Sequence, residues 1–193
     1  MEILASMFLY RFDYISVQDI DEVLTPRNHS NWAEMMTDLE REATKIHPDI
    51  RSSYVFENVY FLDNMTDASA INSSSDVPSY MHMMHHINRS FNYTTGIYIK
   101  CLHNTLRVLI LHNHLPMGCL PNNWCFPYVI DPSVGHMQHY RAECTPDIAH
   151  ICHLYKKVIV EDKSLWRWKD EVVHGTTATL RKVGLLNSEK DKR

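Results

Sequence analysis

No run in this 193-residue chain approaches the roughly 18 apolar residues that a bilayer-spanning helix needs, which excludes such a helix within these residues. A basic excess is lacking too. Lys and Arg number 19 against 23 Asp and Glu, a net charge of −4 with His neutral. That balance gives no footing for nucleic acid or an anionic membrane surface. Met1–Tyr10 is moderately apolar, but without a basic start or a small-residue cleavage site it does not read as a signal peptide. There is no internal repeat and no interdomain linker, and no cysteine precedes Cys101. Apolar residues make up 45% and charged residues 22%, so the chain reads as one globular domain rather than a disordered segment.

What is present points to the secretory pathway. Asn28, Asn64, Asn72, Asn88 and Asn92 each open an Asn-x-Ser/Thr acceptor triplet without proline. About one or two such triplets arise by chance in a chain of this composition. The cysteines are Cys101, Cys119, Cys125, Cys144 and Cys152. Cys119 with Cys125 and Cys144 with Cys152 could each close a short loop as a disulfide, leaving one odd thiol. Glycan acceptors and clustered cysteines fit a lumenal compartment, yet nothing in the chain would carry it there, so a missing N-terminus is expected.

Periodicity predicts a buried strand over Tyr14–Val17 and a helix from Trp32 to Lys45, with Met35, Met36, Leu39 and Ala43 on its apolar face. Ser53–Leu62 reads as one β-branched and aromatic strand, and Gly96–Lys100 and Arg107–His114 as two more. Thr66–Val77 reads as loop, and Pro116–Pro132 as an irregular cysteine-bearing loop. Helices are expected over Asp147–Lys157 and Ser164–Val183. Strands and helices alternate only in part, which predicts a mixed α/β or α+β layered domain.

Chemistry concentrates at Asp19-Ile20-Asp21, where an apolar run ends in carboxylates followed by Pro26. An unpaired charge out of water costs several kcal/mol. A hard divalent cation shared between carboxylates and phosphate oxygens offsets that cost, so the motif suits a metal–diphosphate site. An acidic, solvated loop is the alternative. His112 and His114 end an apolar run in the same manner. On a strand they would share a face, as metal ligands or as a hydrogen-bonded strand end. His139-Tyr140-Arg141 joins an acid/base group to a guanidinium suited to phosphate oxygens. His82, His85 and His86 lack the paired spacing of a closed zinc site and are expected to be solvated. Trp166 and Trp168 could stack on sugar or dock on the core.

Taken in order, these residues resemble glycosyltransferase family 92. The pieces are Asp19-Ile-Asp-Glu-Val-Leu-Thr-Pro26, the stretch from Lys100 to His114, His139-Tyr140-Arg141, the Cys144–Cys152 segment and the Trp/Lys-rich helix after it. The match runs from about Tyr14 to Leu186. The resemblance implies a GT-A type α/β fold, with a mixed sheet flanked by helices. It implies inverting transfer of a sugar, typically galactose, from a UDP-sugar to a glycan acceptor, helped by Mn²⁺ or Mg²⁺. Asp19 and Asp21 would hold the metal and the donor diphosphate, with His114 as a third ligand and His139 and Arg141 beside the donor. For the base that deprotonates the acceptor, Glu57 and Asp63 are the carboxylates to weigh. Relatives of this kind are anchored in the Golgi membrane and face its lumen. They begin with an anchor, a stem and uridine-binding strands, so residues 1–186 are expected to be the C-terminal portion of such a domain, with 187–193 a charged tail. The contrasting expectations are a non-catalytic lumenal protein that binds glycans or partners, and more remotely a zinc module.

Overall fold

The strand that organises the molecule is Gly135-His-Met-Gln-His-Tyr-Arg141, buried along its first six residues. The structure, a computed structural model, describes residues 11–65, 77–94, 96, 98–122 and 124–186. In chain order it forms β1 (Tyr14–Ile15), β2 (Glu22–Pro26), α1 (Trp32–Ile46), β3 (Ser53–Phe56) and β4 (Asn58–Leu62), which runs into a 3₁₀ turn (Asp63–Met65). There follow α2 (His82–His85), β5 (Asn88–Ser90), β6 (Lys100–Asn104), β7 (Val108–Ile110), β8 (Gly118–Cys119), β9 (Pro127–Val129) and β10 (Gly135–Arg141). A 3₁₀ turn (Pro146–Ile151) then continues into α3 (Cys152–Lys156). The last elements are β11 (Ile159–Glu161), a 3₁₀ turn (Ser164–Trp168) and α4 (Lys169–Lys182).

Two sheets carry the fold, ordered β1-β6-β3-β9 and β2-β10-β4, with small ribbons β5-β11 and β7-β8 beside them. β10 runs antiparallel to β2 and parallel to β4. All five residues of β4 are buried. Its alternate side chains feed two different clusters, because successive residues of a strand point to opposite faces. Tyr60 and Leu62 pack with Ile148 and Tyr155, while Val59 and Phe61 pack with Tyr140. Helix α1 lays Met35, Met36, Leu39 and Ala43 over Leu24, Phe56 and Met137, bridging both sheets. Asn31 caps it by accepting from the Glu34 amide at 2.9 Å, and His47, followed by Pro48, ends it in extended backbone. The architecture is mixed α/β with sheets flanked by helices, as the sequence implied.

Several expectations change. The strand expected over Tyr14–Val17 is only Tyr14–Ile15, and the stronger strand begins at Glu22, so Asp19-Ile20-Asp21 leads into a strand rather than ending one. Ser53–Leu62 is broken at Glu57 into two strands that belong to different sheets. The strand expected over Gly96–Lys100 starts only at Lys100, because Gly96 and Tyr98 adopt left-handed backbone with φ of 79° and 52°. Arg107–His114 keeps three strand residues, and His112 and His114 lie beyond them, outside any strand. The Pro116–Pro132 loop contains β8 and β9. Both helices expected near the C-terminus begin as 3₁₀ turns. His85 and His86, expected to be solvated, are buried. Trp166 docks: its indole N–H donates to the Met84 carbonyl at 3.0 Å and its ring joins Val77 and Met81. Disulfides join Cys119 to Cys125 and Cys144 to Cys152, and Cys101 is the buried odd thiol. Asn72 and the 187–193 tail lie outside the described residues.

Gly135 is where helix and sheets come closest. A Cβ there would lie 3.0 Å from Met35 Sδ and from the Phe56 ring, and 3.3 Å from the Thr25 carbonyl oxygen. Gly135→Ala should therefore destabilise the fold by about 1–3 kcal/mol through overpacking. Urea denaturation should show a lower midpoint at an unchanged slope.

Candidate functional site

The acidic turn is built by its own carboxylates and one lysine. The Glu22 amide donates to the Asp19 carbonyl at 3.2 Å, and Glu22 Oε2 accepts from the Asp19 amide at 2.9 Å. Lys100, at the head of β6 and 1% exposed, places Nζ 2.9 Å from Glu22 Oε2 and 3.0 Å from Asp19 Oδ2. A buried ammonium without partners would cost several kcal/mol, so the lysine and the two carboxylates need one another. Since Lys100 belongs to one sheet and Glu22 to the other, this contact also ties the sheets together.

Asp21 closes the other side. Its carbonyl accepts from the Tyr140 amide at 2.8 Å, which fixes the turn to β10. Its Oδ2 lies 3.5 Å from His139 Nε2 and 3.8 Å from Arg141 Nη1. Strand alternation sends His139 and Arg141 to the same face, with Tyr140 on the opposite one. His139 stacks on Tyr60 at 5.4 Å between ring centroids. Burial holds its pKa below the ordinary imidazole range despite the pull of Glu22 and Asp21, so the ring is neutral near pH 7. The side chains of Asp19, Asp21 and Arg141 keep 61%, 33% and 36% of their surface exposed, so their charges face solvent. Three carboxylates and two permanent cations thus meet at one end of the β2-β10-β4 sheet.

His114 hangs on a neighbouring point. Its Nδ1 lies 2.7 Å from the Ile99 carbonyl, next in the chain to Lys100. A carbonyl can only accept, so Nδ1 donates there and Nε2 is the nitrogen left to meet a metal, the orientation that a metal-binding imidazole needs. Nothing in the structure gathers Asp19, Asp21 and His114 ligand atoms within 4.8 Å of one another; among the described residues that closeness is reached only by Asp63, His82 and His86. The donor chemistry at Asp19 and Asp21 still suits a hard divalent cation, which takes one or two carboxylates and completes its shell with water and phosphate oxygens.

The two carboxylates weighed as a base separate. The Glu57 carbonyl accepts from the Met137 amide at 2.9 Å, at the far end of β10 from Arg141. Four strand steps make that roughly 13 Å. Asp63 follows β4 at the correct end, but its carboxylate is engaged by His86 and His82. Among the glycan acceptors, Asn28, Asn64 and Asn92 are exposed, whereas Asn88 lies half-buried in β5 and donates to the Met65 carbonyl at 3.0 Å. Lys100 and Glu22 were not singled out in the sequence. The signal was there: a lysine opening an apolar strand must find a carboxylate.

A profile of glycosyltransferase family 92 matches residues 5–176. No curated protein and no solved structure matches the chain.

His103, behind the His112 carbonyl that it bonds at 3.0 Å, is pushed down to about 4 by burial. An unfolded chain titrates near 6.5 and takes up protons that the folded one refuses, so stability is full above that pH and falls as pH drops towards 4. From pH 7 to 5 His103 should account for about 2 kcal/mol of lost stability, with His139 acting in the same direction. Urea midpoints at both pH values measure it, and His103→Gln should reduce the loss by about that amount.

Proposed function

The chain belongs to glycosyltransferase family 92, and from that membership we propose that its Asp19–Asp21 turn takes the diphosphate of a UDP-sugar donor. The sugar, galactose or a related hexose, passes to a hydroxyl of a glycan acceptor with inversion at the anomeric carbon. What carries this reading is the meeting of Asp19 and Asp21 with His139 and Arg141 at one sheet end, held there by Lys100. Asp21 lies more than a hundred residues from His139 and Arg141 in the chain and meets both in space, which supports the reading.

Asp19 and Asp21 would hold Mn²⁺ or Mg²⁺, with His114 offering Nε2 nearby. When bound, such an ion neutralises charge on the diphosphate as it departs. The Arg141 side chain is 36% exposed, and its guanidinium can bind phosphate oxygens in bidentate fashion. Neutral His139 turns Nε2 to Arg141 Nη1 at 3.4 Å, where a guanidinium can only donate, so it accepts from Arg141 and orients it without adding a second fixed charge. Lys100 does not reach the donor; it is a positioning residue that sets where the Asp19 carboxylate stands. The acceptor oxygen attacks the face opposite the leaving UDP: its bond to the anomeric carbon forms as the bond to the phosphate oxygen breaks, and the acceptor proton goes to a carboxylate base. Two disulfides and three exposed glycan acceptors support a lumenal setting, which for this family reading is the Golgi membrane's lumenal side. No helix among the described residues is long and apolar enough to cross a membrane.

Calorimetry with UDP in the presence of Mn²⁺ tests the reading, followed by transfer assays with UDP-galactose. We expect saturable, Mn²⁺-dependent binding that weakens at least about tenfold in Asp21→Ala. Binding that is absent, or unchanged in the variant, would leave a non-catalytic glycan-binding or interaction role instead.

A further inference from the structure

The histidines of Met81-His-Met-Met-His-His86 are not a solvated run. α2 is one turn long, and His82 and His86 stand four residues apart, so their rings lie over one another on the same face, 4.1 Å between centroids. Asp63, in the 3₁₀ turn that ends β4, points its carboxylate at both rings. Oδ1 is 3.1 Å from His86 Nε2 and 3.7 Å from His82 Nε2. We propose that Asp63, His82 and His86 bind a zinc ion through Oδ1 and the two Nε2 atoms, at a site separate from Asp19 and Asp21.

Three observations carry this. The ligand atoms all fall within 4.8 Å of one another. Two atoms bound tetrahedrally to one zinc at about 2.0 Å stand about 3.3 Å apart, between the two separations seen here. Next, the His86 tautomer is set by its other nitrogen. Nδ1 lies 2.9 Å from the His82 carbonyl, which can only accept, so Nδ1 donates there and Nε2 is the ring nitrogen turned to the carboxylate. A lone pair against an anion is repulsive unless a cation lies between them. A proton is one candidate for that cation and a metal is the other. Finally, the site has both support and access. Backbone carbonyl bonding at His86 and the Asn88 side chain on the Met65 carbonyl hold two of the ligating segments. The His82 and Asp63 side chains remain 57% and 48% exposed, which gives an ion a way in and leaves a fourth position for water.

Two imidazoles and one carboxylate favour zinc over the oxygen-seeking Mn²⁺ and Mg²⁺. Bound there, zinc would clip the end of β4 to α2. That strand end matters, because Leu62 is the register partner of Arg141. A four-residue helix has little stability of its own, so a metal clip is a reasonable way to hold it. The inference stands without the donor-site reading.

The test uses EDTA-stripped protein titrated with ZnCl₂ by calorimetry, with Co²⁺ as a coloured substitute and Tm as a second readout. We expect one saturable equivalent of zinc, the intense visible bands of low-coordinate Co²⁺, and a rise in Tm with zinc. His82→Ala and Asp63→Asn alter half-exposed side chains and should fold. Each should weaken zinc at least about tenfold and remove its effect on Tm. His47→Ala, at an exposed His–Asp pair with a single imidazole, should change neither readout. Absence of saturable zinc binding, or equal binding in both ligand variants, would mean that a proton alone bridges Asp63 and His86 and would overturn the proposal.

Discussion

The ammonium of Lys100, sealed between Asp19 and Glu22, is the interaction on which the rest of the structure depends. It is buried in a place where no water can solvate it, so its position is decided by the two carboxylates, and theirs by it. Through this contact β6 of one sheet grips β2 of the other. The acidic turn can then present Asp19 and Asp21 to solvent while their backbone is held from behind. Without the lysine, Glu22 would be a buried anion on a strand and the turn would have no reason to stay where it is.

The site follows from that constraint by simple strand geometry. Once Glu22 is fixed, antiparallel register sets His139 opposite it, and parallel register sets Tyr60 on the far side of His139. Alternation then brings Arg141 to the same face as His139. The proposed transfer from a diphosphate-linked donor would need a place where negative charge on the departing group is met by preorganised positive charge and donors. Here the scaffold supplies a guanidinium and a neutral imidazole on the buried strand β10, and a pair of carboxylates on a turn that the Tyr140 amide pins to that strand.

Much of this was legible from residue order, for physical reasons that differ by element. α1 could be read because a 3.6-residue apolar period acts locally. The disulfides could be narrowed to two short loops because their spacing permits it. The Asp-x-Asp signal was legible as carboxylates abutting an apolar run, but the side on which the strand lies was not. That depends on Lys100, which is 81 residues away from Asp19. Strand register is likewise non-local: the apolar stretch from Ser53 to Leu62 gives no sign that Glu57 divides it between two sheets. Polar groups in the core were also hidden. Arg89, in β5, and Asp162, just past β11, form a buried pair at 2.7 Å, and each alone reads as a surface residue. His85 and His86 misled for the same reason, since their segment is covered by Trp166 and Val173 far along the chain.

A double-mutant cycle at Lys100 and Glu22 tests the central claim most directly. Unfolding free energies would be measured for Lys100→Met, Glu22→Gln and the double variant. Breaking a buried pair from one side should cost about 3–5 kcal/mol, while removing both charges should cost far less than the sum. Single changes of a few tenths of a kcal/mol that simply add would contradict it, because the turn would then be held by something other than the lysine.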